Sequence, residues 1–265
     1  MYKKFQLNGE LTQEQIDFFN DNGFIHFTDF TSREVVDSLI GSMQSIEQRW
    51  ISENKSKNFG VPVKYGKDVG GNTIVQRFNF ASLQSEFIGD FVKTAGIHKL
   101  LPLMPQGSRI AEDEMDGVVI NHYVNVPGSN YSKMGWHTDS IRELFYFKPV
   151  VPMLNVGIYL DDSSDFNGGL RILPGTHTQS VWQLLFKKAY FMNQDADPNE
   201  ILVQAKAGDM VVHDGRMWHR VAQSPFEGER SRRRVMYIPV ICGKRKVKHE
   251  NSRTPLYHNF LKFIR

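Results

Sequence analysis

The 265-residue chain has one cysteine, Cys242, so no intramolecular disulfide can form and a reducing compartment suits it. Nor does it contain an apolar run approaching membrane-spanning length. The basic start, Met1-Tyr2-Lys3-Lys4-Phe5-Gln6, is not followed by an apolar signal core, so a cytoplasmic protein is expected. An excess of one charge is missing too: the net charge is +3, too little to draw nucleic acid by bulk electrostatics. The basic block Lys244-Arg245-Lys246-Val247-Lys248 is short and lacks interleaved stacking aromatics, so it reads as a solvated surface and makes no case for a nucleic-acid partner. Without repeats or low-complexity stretches, residues 1–265 are expected to form a single domain.

What is present changes character along the chain. Up to residue 105 it reads mostly as helical support. Thr12-Gln13-Glu14-Gln15 is a capping box, Ile16, Phe18 and Phe19 give an apolar face, and Gly23 is placed to stop the helix. Phe24-Ile25-His26-Phe27 looks like a short strand, with His26 a core or edge histidine. Thr31-Ser32-Arg33-Glu34 reads as a second capping box before Val36, Leu39, Ile40, Met43 and Ile46, spaced as on a helix. Residues 51 to 80 are polar and loop-like, with Pro62 and Gly70-Gly71 as breakers. Phe87, Ile88 and Phe91 suggest another helix, ending near Leu100-Leu101-Pro102 with His98 at the surface.

From residue 116 the period becomes two. In Val119-Ile120-Asn121-His122-Tyr123-Val124-Asn125, Asn121 and Tyr123 share a face. A turn at Pro127-Gly128-Ser129-Asn130 follows. Further strand-like runs span 154–160, 201–205, 210–213 and 235–241. Many short strands separated by Gly and Pro turns, after helices, indicate a mainly β sandwich or barrel with helical support over 116–243.

The chemistry centres on Gly135-Trp136-His137-Thr138-Asp139-Ser140. On a strand His137 and Asp139 would face one point, and an imidazole, a carboxylate and a distant second histidine make the facial triad of non-haem Fe(II) oxygenases. Two candidates for that histidine lie in 207–219. His213 belongs to the apolar run Met210-Val211-Val212 and reads as a packing residue, whereas His219 follows the Asp214-Gly215 turn and begins the next segment. Beyond it, Arg230-Ser231-Arg232-Arg233-Arg234 runs into the strand Val235-Met236-Tyr237-Ile238. Alternation puts Arg233, Val235 and Tyr237 on one face and Arg234 on the other. An inward arginine is costly unless a carboxylate meets it, and a cosubstrate carboxylate suits the guanidinium fork.

These motifs, with Leu11-Thr12-Gln13-Glu14-Gln15 through Gly23-Phe24, Asn167-Gly168-Gly169-Leu170-Arg171-Ile172-Leu173-Pro174-Gly175-Thr176-His177 and Asp214-Gly215-Arg216-Met217-Trp218-His219, resemble the phytanoyl-CoA dioxygenase family. The resemblance implies a double-stranded β-helix (jelly roll) with N-terminal helices packed on it. It also implies an Fe(II)- and 2-oxoglutarate-dependent oxygenase using O₂, with ascorbate a helpful reductant. By position, His137, Asp139 and His219 become the iron ligands and Arg233 the partner of the distal 2-oxoglutarate carboxylate. The segment between His219 and the arginines looks longer than in the family, which leaves Arg230, Arg232 and Arg234 as alternatives to Arg233. Asn121 and Tyr123 resemble a polar pair directed at the cosubstrate, and a cross-strand hydrogen bond is the competing reading. His177 has no ligand role in the family pattern.

The implied reaction is hydroxylation of an unactivated C–H bond of a small-molecule or carrier-linked substrate, with release of succinate and CO₂; desaturation and ring closure stay open. Three rivals stand beside it: a non-catalytic jelly-roll binding module, a zinc hydrolase, and a nucleic-acid dealkylase. Arg142, Phe145, Tyr146 and Phe147, with Trp136, flank the metal motif and are candidates for the substrate pocket. The apolar stretch from Val181 to Pro198 is too long for a hairpin loop and is expected either to close as a flap or to sit as a fixed cover.

Overall fold

The structure is a computed structural model that describes residues 2–127, 133–144 and 149–255. The expected turn residues Gly128, Ser129 and Asn130 and the aromatics Phe145, Tyr146 and Phe147 lie outside the described residues, as does the side chain of Arg142.

Helix α1 (Gln13–Asn22) starts at the expected capping box: Thr12 accepts from the Gln15 N–H, and the Gln15 side chain accepts from the Thr12 N–H. Gly23 closes the helix at φ 76°, a left-handed conformation that glycine adopts without steric cost. Strand β1 (Phe24–Phe27) follows. Helix α2 (Arg33–Ser52) begins one residue later than the second expected box. Ser32 is its cap, and with Val35 at the third helical position no reciprocal side-chain bond forms. Its buried face is Val36, Leu39, Met43, Ile46 and Trp50.

Residues 51–80 differ from the loop expected of them. Strands β2 (Lys57–Asn58) and β3 (Val61–Pro62) pair with each other, and β4 (Lys64–Lys67) and β5 (Thr73–Phe78) form a hairpin with Gly70-Gly71 in its turn. The glycines mark the turn correctly. The strand is masked because β4 is a sheet edge, where short length and lysines discourage pairing with other chains and erase the alternation.

Helix α3 (Glu86–Thr94) and the short strand β6 (Arg109–Ile110) lead into β7 (Val119–Tyr123), β8 (Met134–His137), the single turn α4 (Ile141–Leu144) and β9 (Met153–Tyr159). Then come β10 (Gly169–Ile172), α5 (Val181–Phe186), β11 (Ile201–Leu202), β12 (Met210–Asp214), β13 (His219–Ala222) and β14 (Arg233–Ile241). Two antiparallel sheets result. The larger runs β1-β12-β9-β14-β7-β5-β4, with β6 also on β14, and the smaller runs β11-β10-β13-β8. Strands distant in sequence lie side by side, as in a jelly roll, and the sheets do not close into a barrel. The first 105 residues do more than support: β1 forms one edge of the larger sheet and β4 the other.

Alternation sorts the larger sheet into two faces. Leu154, Val156 and Ile158 of β9 and Met236, Ile238 and Val240 of β14 join the apolar face of α2 in one core. Tyr159 and Val235 point the other way and pack with Leu170 and Ile172 of the smaller sheet. Fully burying one Leu or Ile contributes roughly 1.5–3 kcal/mol, against about 1 kcal/mol for a helix cap, so packing holds α2 to the sheet.

His26 is a structural residue. Its Nε2 lies 2.9 Å from Asp209 Oδ2 and its Nδ1 2.8 Å from the Tyr2 hydroxyl. Burial works against the Asp209 carboxylate, but hydrogen bonds from His26 and from the N–H groups of Lys206 and Asp29 hold its pKa below the ordinary value. A depressed folded pKa contributes stability that is complete above the unfolded value and lost as pH falls through the folded one. Asp209→Asn should therefore destabilise the protein by roughly 3–5 kcal/mol at neutral pH, as for a buried pair broken on one side. In urea titrations its gap to wild type should narrow below about pH 4. A gap that stays constant into strong acid would remove this pair from the account.

Candidate active site

Strands β8 and β13 are antiparallel neighbours, and their register sets His219 directly opposite His137, with ring centroids 4.1 Å apart. The two imidazoles are held alike. His137 Nδ1 lies 2.8 Å from the carbonyl of Gly135, and His219 Nδ1 lies 3.0 Å from that of Met217. A carbonyl only accepts, so each Nδ1 carries the proton and each Nε2 keeps a lone pair for a metal. Asp139 is not on the strand, as the two-residue spacing assumed. It sits in the turn beyond β8, which is fastened by the Ser140 N–H donating to the Gly215 carbonyl at 3.0 Å. This brings Asp139 Oδ2 to 3.5 Å from His219 Nε2, and one potential ligand atom from each of the three residues falls within 4.8 Å of the others. Among the described residues no other trio of His, Cys, Asp or Glu does so.

Residues 19–227 match the phytanoyl-CoA dioxygenase (PhyH) family. The chain belongs to that family. Iron- and 2-oxoglutarate-dependent catalysis follows from membership, and the trio just described has the donor set such iron requires. Solved structures support the fold. AviO1 from Streptomyces viridochromogenes Tue57 is 17% identical with a TM-score of 0.62, over 91% of this chain and 100% of that one. SnoK, a non-heme alpha ketoglutarate dependent carbocyclase from nogalamycin biosynthesis, is 16% identical with a TM-score of 0.63, over 99% and 94%. HygX from Streptomyces hygroscopicus, solved with nickel and 2-oxoglutarate bound, is 14% identical with a TM-score of 0.59, over 87% and 86%. No curated protein matches the chain in sequence.

In this PhyH-family chain the trio faces a cavity of about 350 Å³ between the sheets, large enough for a small molecule. Asn121 and Tyr123 both line it, on the face that alternation assigned them. Asn121 Oδ1 also accepts from Arg77 Nη1 at 3.1 Å across the β5–β7 pair, so the cross-strand bond is made. Arg77 in turn donates to Asp116 at 3.0 Å. Arg77, Lys64 and Asn155 line the cavity as well and were missed from sequence, the first two because they lie on strands that read as a loop. His213 is closer to the site than its apolar run implied. It lines the cavity with its Nε2 at 3.3 Å from Asn155 Nδ2, and burial pushes its pKa down to about 3. His177 stays outside the site, its Nε2 donating to the Asn20 carbonyl at 3.0 Å.

Arg233 is fully buried. Its Nη1 donates to the Asn167 carbonyl, its guanidinium carbon lies 4.7 Å from the centre of the Tyr123 ring, and its Nη2 has no hydrogen-bond partner among the described residues. Burial pulls its pKa below the ordinary arginine value while the surrounding tyrosines oppose the shift. An orphaned donor on a buried cation is costly, and a dicarboxylate would satisfy it. Gly168 makes the arrangement possible. At φ 83° it brings the 167–169 turn so close that a Cβ would stand 2.8 Å from Arg233 Nη1 and collide with the Ala222 carbonyl. The alternative arginines are occupied: Arg234 forks onto Asp161 at 2.6 and 2.8 Å, Arg232 pairs with Glu229, and Arg230 lies over the Phe226 ring.

The stretch from Val181 divides in two. Trp182 and Phe186 of α5 pack against each other with their ring planes tilted by 45° and remain exposed. Residues 190–195 are fastened to β8. The Phe191 N–H donates to the Trp136 carbonyl and the Trp136 N–H to the Asn193 carbonyl, both at 2.8 Å, and the Trp136 indole donates to the Asp195 carbonyl. Gly135 permits this approach, because a Cβ there would strike the Phe191 carbonyl. The Phe191 ring is thereby stacked 5.0 Å from His137 and lines the cavity.

Arg233→Gln should raise the 2-oxoglutarate concentration needed for half-saturation by at least 100-fold, since breaking one side of a buried ion pair typically costs about 3–5 kcal/mol. Arg232→Gln, at a half-exposed pair, should change it less than about fivefold. Equal effects in a 2-oxoglutarate titration of both variants would show that Arg233 does not bind the cosubstrate.

Proposed function

We propose that the protein is a hydroxylase of this family, inserting one oxygen atom of O₂ into an unactivated C–H bond of a small-molecule or carrier-linked substrate. The second oxygen atom enters succinate as 2-oxoglutarate loses CO₂. The observation that carries the reading is the His137, Asp139 and His219 trio, in which both histidines have their Nδ1 atoms committed to backbone carbonyls.

In this reading His137 and His219 hold iron through Nε2 and Asp139 holds it through a carboxylate oxygen. Arg233 Nη2 receives the distal carboxylate of 2-oxoglutarate, and Tyr123 and Asn121 stand along the cosubstrate's path. Iron with 2-oxoglutarate supplies the oxidising power for O₂ to attack a C–H bond. The chain itself positions and shields. Asp139 supplies one negative charge against the metal's two, and as a carboxylate it occupies the place that a small residue would leave to a halide, which favours hydroxylation. The Tyr123 ring covers the guanidinium of Arg233 with its π face. Apolar walls such as Phe191, Met134 and Leu170 keep water from the reacting bond.

Ring closure is the second outcome to be weighed, because SnoK, similar over nearly the whole chain, is described as a carbocyclase. A cytoplasmic setting belongs to the reading and is supported by the single free cysteine; no helix among the described residues is long and apolar enough to cross a membrane.

The test is succinate release from 2-oxoglutarate under Fe(II) and ascorbate, across a panel of small metabolites, with products identified by mass. A substrate should gain one oxygen atom as succinate appears. His219→Ala should lower turnover at least 1,000-fold with the fold intact by circular dichroism, equivalent to about 4 kcal/mol of transition-state stabilisation. Wild-type turnover in that variant would remove His219 from the site. An iron- and 2-oxoglutarate-loaded protein that turns over nothing would leave a non-catalytic binding module.

A further inference from the structure

Two polar side chains behind the trio have no part in the mechanism above. Asn155 interrupts the strand Met153-Leu154-Asn155-Val156-Gly157-Ile158-Tyr159, and His213 stands opposite it in the register of β12 with β9. The Asn155 amide nitrogen donates to Asp139 Oδ2, and the same nitrogen lies 3.3 Å from His213 Nε2. His213 Nε2 and Asp139 Oδ2 are themselves 4.0 Å apart, so the amide is the link between them.

The chemistry fixes the direction of each bond. A carboxylate only accepts, so the NH₂ end of Asn155, not its oxygen, must face Asp139. Its second hydrogen is then available to His213 Nε2, which receives it when the ring proton sits on Nδ1, a buried nitrogen with no hydrogen-bond partner among the described residues. The His213 ring is confined in turn, with its centre 4.9 Å from that of His219 and edge-on to Tyr237.

Asp139 needs such a restraint more than the histidines do. His137 and His219 stand on paired strands and are each tied to their own backbone, whereas Asp139 lies past the strand end and its side chain is 31% exposed. Strand register does not set its rotamer, and among the described residues its side chain has no backbone hydrogen bond and accepts from the Asn155 amide.

We propose that Asn155 and His213 are positioning residues of the metal site: Asn155 holds the Asp139 carboxylate in place with its Oδ2 beside His219 Nε2, and His213 holds Asn155. The inference rests on the reading that the trio binds iron. Outer-layer partners of this kind typically contribute 10–100-fold in metal affinity.

The experiment is an anaerobic Fe(II) titration of the full chain with 2-oxoglutarate, followed by the visible charge-transfer absorption of the chelate, alongside thermal unfolding of the metal-free protein. Asn155→Leu should weaken apparent Fe(II) affinity about 10–100-fold, and His213→Phe about tenfold, with the charge-transfer band displaced in both. His213→Gln, whose amide oxygen can accept from Asn155, should recover most of the loss. A general structural role would lower the metal-free unfolding temperature and would not be rescued by Gln. Wild-type affinity in either Asn155→Leu or His213→Phe overturns the proposal, and the first of these keeps the test decisive if the second does not fold. Loss of binding in His213→Phe as complete as in His219→Ala would make His213 a ligand and also overturn it. Failure of the wild-type chain to bind iron at all would instead defeat the functional reading beneath it.

Discussion

The antiparallel pairing of β8 with β13 sets the distance between the two histidines of the site. It places His219 across from His137 although the two are far apart in sequence, and a slip of one residue would turn one imidazole to the opposite face of the sheet. The register is secured on both sides of the pair: β10 backs β13, and residues 191–193 run along the free side of β8. Within it, each histidine is locked by its own backbone, which decides the tautomer before any metal arrives. Asp139 completes the trio from a turn, so its placement depends on the fastening of Ser140 to Gly215 and on Asn155.

Charge is managed in layers around this frame. Arg234 and Arg233 are consecutive and point to opposite faces of β14. Arg234 is balanced by Asp161, and Arg233 is left with a buried donor that has no partner among the described residues. Such a donor works against stability unless something binds it. The glycine-rich turn at 167–169 serves this arrangement more directly than composition indicates, because its backbone both caps the guanidinium and leaves no room for a side chain beside it.

Much of this was legible from residues alone, and for stated physical reasons. Capping chemistry is local, so Thr12 and Gly23 revealed α1 without knowledge of the fold. Period-two alternation located β7, β9, β12 and β14 to within a residue or two and put Asn121, Tyr123 and Arg233 on the inner face. The motif around His137 and the turn before His219 gave the trio, though Asp139 was placed on a strand that ends two residues earlier. What stayed hidden depends on partners distant in sequence. The β4–β5 hairpin carries the lysines and glycines of an exposed edge, so Lys64 and Arg77 looked like loop residues until β7 was seen beside them. His213 read as core because its neighbours are apolar, and only the register with β9 shows that it meets Asn155. The second capping box failed for a simpler reason: two adjacent hydroxyl residues, Thr31 and Ser32, competed for one cap.

The most direct measurement is a crystal structure of the chain soaked anaerobically with Fe(II) and 2-oxoglutarate. The account predicts one iron between Nε2 of His137, Nε2 of His219 and a single oxygen of Asp139, with the distal carboxylate of 2-oxoglutarate on Nη2 of Arg233. Iron held by His213 in place of His219, or 2-oxoglutarate bound with Arg233 Nη2 still unpaired, would contradict it.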